Sequence, residues 1–441
     1  MSSLKQRARH LASRVGCTVG LGLFASACSW VNAINVCEHV GPAQSRVNER
    51  GDGNEYINHP RAASDLGNGR VLVAFNAQSL DLDANGAPTT SDVRLTLLDA
   101  ATGTPITLCD GMSLDETLED SGGYAAVASV APAPLTIGGN AAAALVAWTD
   151  LHTQRIMMRF VDVGGCPMEQ EFAAREFSTV AGQTVADFAA SVTWSPVNNA
   201  VLLTWTDQRD IFEAWISAAE PPQVLTLASG QTAVQSIPVS AVASDGRTLV
   251  AWSEDGRGVQ GELLDAQGNA TGTPFDLGFA AKGSMAHVAV IAGPDRFAVT
   301  ADGSDTPTST TFTYVREFSL SGVPLGATRR VDDSDANNEE FPVVAYLPDQ
   351  TLMASWKGPN STATSARLFK VDGTPRFNTV SCDEQQFRLD AAHPILPGME
   401  SALLVGGSVW VFYSGQPPSD PRGSGVGLWR LPFDKLYTGT Q

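Results

Sequence analysis

Positive charge is scarce in this chain. Its 441 residues carry 28 Lys and Arg against 47 Asp and Glu, a net charge of −19. Four of the cations, Lys5, Arg7, Arg9 and Arg14, fall in the first 14 residues, so the rest is more acidic still. A surface of that sign repels phosphate backbones and anionic lipid headgroups. We therefore expect no nucleic-acid partner, and a membrane only through an N-terminal lipid. Catalytic signatures are missing as well. There is no Gly-x-Ser-x-Gly, no His-Glu-x-x-His, no phosphate loop, no dinucleotide fingerprint and no Ser-x-Asp-x-Gly-x-Thr-Trp box. The long apolar runs that span membranes are absent too. The longest candidate, residues 15–27, is too short to span as a mature helix.

That run does have a use. It follows the basic residues 1–14 and reads as the apolar part of an export leader. Ala25, Ser26, Ala27 and Cys28 resemble a lipobox, with Ala25 where Leu is usual, and would make Cys28 the acylated N-terminus. Ser29 after it favours the outer membrane. Val31, Asn32 and Ala33 offer an ordinary cleavage site instead, which would leave a periplasmic or extracellular protein. We expect a leader over 1–33 and one domain over 34–441.

What the chain has in plenty is a recurring phrase: an apolar strand that ends near an aromatic residue and runs into a turn. It occurs at Val71–Phe75, Ala144–Trp148, Val201–Trp205, Thr248–Trp252, Arg296–Thr300, Leu352–Trp356 and Ser408–Phe412. The anchors lie 73, 57, 47, 48, 56 and 56 residues apart. A repeat of about fifty residues points to propeller blades. We expect an all-β, seven-bladed β-propeller. Each unit supplies a small, often Pro-opened inner strand, the apolar anchor strand, an alternating third strand, a turn such as Asp265 to Gly268, and a short polar outer strand. The last unit lacks an outer strand. The stretch Ser45, Arg46, Val47 followed by Asn54 and Glu55 echoes Arg329, Arg330, Val331 followed by Asn338 and Glu339. Residues near 41–49 should therefore complete the seventh blade and close the ring. Acids follow four anchors, at Asp150, Asp207, Glu254 and Asp302, where turn capping is the expected role.

Cysteine is limited to six residues, two of them in the leader. Cys37, Cys109, Cys166 and Cys382 remain. An even number in an exported chain predicts two disulfides, with three connectivities open. The repeat alignment favours Cys37–Cys382 and Cys109–Cys166, each joining adjacent blades. Zinc is excluded by their wide spacing.

Two clusters are candidate sites. Asp81, Asp83, Asn85 and Gly86, closed by Asp92, match a Ca²⁺ loop in which alternate side-chain oxygens converge, with Asp at the closing position instead of Glu. We expect Ca²⁺ there, on a loop between two strands of the first blade. His59, His287 and His393 each open an inner strand and would stand at one channel mouth, where imidazoles serve metal binding or acid–base chemistry.

The unit seen in Trp205-Thr-Asp207 and in Trp252 through Gly268 resembles repeat proteins exported by bacteria, many of them lipoproteins, that form propellers. The resemblance spans residues 41–431 and implies the fold. For function we expect a monomeric cell-envelope module that binds a protein or a glycan. A secreted hydrolase or lyase acting on an extracellular polymer, and a purely structural envelope component, are the alternatives.

Overall fold

The computed structural model describes residues 43–433 apart from 48–52, 58, 80–90, 110–114, 120–124, 151–154, 177–189, 208, 219–223, 230–234, 280–286, 304–310, 333–339, 358–363, 377–386, 390–399 and 416–424. Seven small antiparallel sheets form a seven-bladed β-propeller. Each anchor phrase is the second strand of a blade.

The anchor strands are largely apolar, and buried throughout, because blades cover both their faces. Ala144–Asp150, Ala200–Thr206 and Thr248–Glu254 are buried at every position. Trp148, Trp205, Trp252 and Trp356 have no exposed surface. Truncating any one of them to alanine would cost about 3–5 kcal/mol. The third strands are more covered than their alternating sequence predicts. Arg155–Val161 alternates, whereas Gly258–Leu264 is buried at all but one position. The cause is that third strands also lie between blades, so polar residues there are enclosed along with the apolar ones.

Ring closure follows the sequence expectation. Ala43–Arg46 pairs antiparallel with Gly425–Pro432, with Ser45 opposite Leu428. The Val47 amide donates to the Val426 carbonyl at 2.9 Å, and the Val47 side chain is fully buried. The first blade is the enlarged one. Its third strand, Ser91–Asp99, pairs with both Pro105–Ile106 and Asp115–Glu119. A hairpin of Thr136–Ile137 and Asn140–Ala141 adds to the second blade. These insertions account for the long first spacing.

The inner-strand prolines do not open their strands. Gln235–Val242 and Glu340–Tyr346 begin before Pro238 and Pro342, and both shift register at the proline. In each, two residues on the inner strand face one on the anchor strand: Ile237 and Pro238 face Trp252, and Phe341 and Pro342 face Trp356. Proline cannot donate to the ladder, and a bulge takes up the missing bond. In the first blade the break is complete. Gly53–Tyr56 and Ala63–Asp65 both pair with the anchor strand Arg70–Ser79, with His59, Pro60 and Arg61 between them.

Candidate functional site at the channel mouth

The seven inner strands line an axial cavity of about 210 Å³. Its wall includes the small residues Ala63, Ser64, Ala131, Thr193, Ala289 and Ala402, as a crowded axis requires. At the mouth where the inner strands begin, a connected set of polar and aromatic groups runs through the fifth, sixth, seventh and first blades.

In the fifth blade, His287 stands just before the inner strand Val288–Ala292. Asp302, at the end of the anchor strand, receives the His287 backbone N–H at 2.7 Å on Oδ1. Its Oδ2 lies 2.6 Å from His287 Nδ1. The same oxygen accepts the Phe341 amide of the sixth blade at 3.4 Å. One buried carboxylate thus ties two blades and orients an imidazole whose side chain is 21% exposed. Phe341 holds φ at +57°, a left-handed conformation uncommon for a bulky residue. Its ring centroid lies 4.1 Å from that of His287.

Lys357 Nζ is 5.5 Å from the Phe341 ring centroid. Lys357 follows the anchor Trp356 and is fully buried. Burial draws its amine down to about 8, while the charge of Glu400 opposes that shift. Glu400, fully buried in the seventh blade, is pushed up to about 7 by burial, against the Lys357 charge. Ser355 Oγ donates to Glu400 Oε2 at 3.2 Å, and Thr364 Oγ1 donates to Oε1. The next residue, Ser401, donates from Oγ to the Pro60 carbonyl of the first blade at 3.0 Å. Arg61 then crosses the axis, its Nη2 donating to the Val290 carbonyl of the fifth blade at 3.1 Å. Contacts therefore run from the fifth blade through the sixth, seventh and first and back to the fifth. The other half of the ring is joined by hydroxyls, such as Thr193 Oγ1 to Ser240 Oγ at 2.9 Å.

The sequence candidates divide as follows. His59 is buried, and its Nδ1 accepts the Arg61 amide at 3.0 Å. Burial, with the Arg61 charge second, pulls its pKa down to about 3, so it is neutral. His287 lies in the mouth as just described, and His393 lies outside the described residues. Among the described residues no group of three or more His, Cys, Asp or Glu could hold a metal ion. Asp92 stands in a third strand opposite Ala77, while Asp81, Asp83 and Asn85 lie outside the described residues. Cys28, Cys37 and Cys382 also lie outside them. The Cys109 amide donates to the Gly164 carbonyl at 3.3 Å, which brings the turn that carries Cys166 against it. Asp207 caps its turn as expected, accepting the Arg209 and Asp210 amides at 3.1 and 2.9 Å. Asp302 has the different role of joining blades.

Arg61, Phe341, Lys357 and Glu400 are not singled out by the sequence. One signal was present: a lone Lys ending an apolar strand is costly unless an acid meets it.

No family model matches the chain, and no curated protein matches it. Solved structures do. The polysaccharide lyase Uly1 superposes with a TM-score of 0.50 at 9% identity, covering 90% of this chain and 100% of that one. The phage phi92 endosialidase gives 0.48 at 10% identity, covering 91% and 70%. A protein of unknown function from Dyadobacter fermentans gives 0.46 at 9%, covering 91% and 99%. At such identities the likeness extends to architecture alone, and what this chain has in common with them is the propeller.

Proposed function

We propose that this propeller is an exported cell-envelope binding module that takes a protein or glycan ligand at the mouth where its inner strands begin. The observation that carries the reading is the contact circuit of His287, Asp302, Phe341, Lys357, Glu400 and Arg61, which links four blades and holds a strained aromatic beside an oriented imidazole. Strain of this kind persists where surrounding contacts hold it, and it clusters at functional sites. Acylation at Cys28, an outer-membrane location, disulfides Cys37–Cys382 and Cys109–Cys166, and Ca²⁺ on Asp81, Asp83, Asn85 and Asp92 belong to the same proposal.

The test is a crosslinked pull-down of the mature protein from its own cell envelope. One photo-crosslinker replaces Phe341, and a control replaces Leu225, an exposed residue on an outer strand. A protein or polysaccharide captured from position 341 and not from 225 supports the reading. Equal capture at both positions refutes it.

A second reading, a hydrolase or lyase of an envelope polymer, is favoured by the 2.6 Å His287–Asp302 contact, which fixes an imidazole at the mouth as a general base requires. Asp302→Asn separates the two. Loss of turnover with binding retained would make the module an enzyme.

A further inference from the structure

The axial cavity holds a cation that, among the described residues, makes no ion pair. Arg61 lines it, and among the described residues no carboxylate lies within ion-pair distance of the guanidinium. Its side-chain Nε is buried with no partner, and Nη2 meets only the Val290 carbonyl. Asp65 also lines the cavity, near the opposite mouth, as a carboxylate whose Oδ1 accepts the Gly67 amide at 2.8 Å, but it makes no ion pair with Arg61. His59, beside Arg61, adds no charge because burial holds it neutral. The net charge of −19 makes this arrangement pointed: a chain with acid to spare leaves an axial guanidinium unmatched. An enclosed charge without a counterion is costly, and an anion that neutralises it recovers that cost.

The cavity continues from Arg61 toward the opposite mouth. Arg61 sits at the level of the anchor residues, since the Ala62 carbonyl accepts the Ala74 amide at 2.8 Å. The lining runs from there to Asp65, Trp194 and Leu404, which lie near the ends of their inner strands. Arg61 is thus the inner end of a pit whose walls are mostly apolar, with the Ser64 hydroxyl beside it. The Thr193 hydroxyl, also in the wall, donates to the Ser240 carbonyl at 3.0 Å.

We propose that this pit binds one carboxylate, with Arg61 as the fixed cation. A single guanidinium neutralises a monoanion and would leave a dianionic phosphate half-compensated in an apolar wall. The planar fork of arginine also matches the two oxygens of a carboxylate. About 210 Å³ admits the carboxylate of an organic acid or of one acidic sugar residue. The site shares Arg61 with the contact circuit behind the His287 mouth but opens toward the opposite end, and its test needs no partner at that mouth.

The test uses the mature wild-type chain at neutral pH and fixed ionic strength. Acetate, glucuronate and uncharged glucose are the probes. The carboxylates should raise the melting temperature by about 3 °C at saturation, and glucose should not. Phenylglyoxal labelling of Arg61, read by peptide mass spectrometry, should slow about tenfold in their presence. Arg61→Gln should abolish the thermal response. Acetate and glucuronate acting alike would assign a small organic acid, and glucuronate alone an acidic sugar. A wild-type chain whose melting and Arg61 labelling ignore every carboxylate overturns the proposal, as does Arg61→Gln responding like wild type. If that variant does not fold, labelling protection in the wild type decides.

Discussion

Lys357 and Glu400 show what two enclosed charges that act on each other cost and hold. Neither is exposed, and each is drawn toward neutrality by burial while the other opposes it. Removing one partner leaves the other charge or hydrogen-bonding group enclosed and unmatched. Lys357→Met should destabilise the fold by about 3–5 kcal/mol, and adding Glu400→Gln should recover part of that loss. Urea unfolding of the double-mutant cycle measures the coupling, and strictly additive losses would show that the two do not interact. Glu213 and Glu262 are the contrasting case. They are buried among the residues that join the third and fourth blades, and each has an oxygen without a partner. Burial, with the Glu262 charge second, pushes Glu213 up to about 8, and burial pushes Glu262 up to about 7. The folded chain therefore keeps protons that the unfolded chain has lost, and stability falls as pH rises from the ordinary glutamate range through about 8. Glu213→Gln should flatten that decline and exceed wild type in melting temperature at about pH 8. An unchanged pH profile would mean that Glu213 ionises normally. These pairs could not be read from sequence, because nothing local tells Glu213 that Glu262 of the next blade faces it.

At the scale of the element, strand type was legible and strand environment was not. The anchor phrases identify buried strands because continuous apolarity needs cover on both faces. The alternating third strands misled, since alternation marks two unlike faces only where one of them meets water. Proline was read as a strand opener, whereas Pro238 and Pro342 sit at bulges inside their strands. The turn signal of Asp265 to Gly268 was read correctly. The Asp265 Oδ1 accepts the Gln267 and Asn269 amides, each at 2.9 Å. Its glycine has a second role that sequence does not carry. Gly268 has φ of +88°, and a side chain there would run into the Trp215 indole of the preceding blade. Gly268→Ala should cost about 1–3 kcal/mol through strain and overpacking. Thermal unfolding measures it, and a neutral result would show that the turn and Trp215 yield freely.

For the whole molecule, the repeat dictated the ring, and the ring created the site. Seven units, with Ala43–Arg46 lent to the last, close the circle. Closure brings His287, Phe341, Glu400 and Arg61 from four blades to one axis, although they are scattered along the chain. The architecture was therefore legible from period and patterning. The mouth was visible only in part, through His59 and His287, because its other members matter by proximity across blades. The central claim is that this mouth binds the ligand. The most direct measurement is the affinity of the ligand captured from the cell envelope for the wild type and for Phe341→Ala, by calorimetry, with circular dichroism to confirm the fold. The account predicts a loss of about tenfold or more, as for an aromatic at the centre of an interface. An unchanged affinity in a folded variant would contradict it and move the binding surface off the mouth.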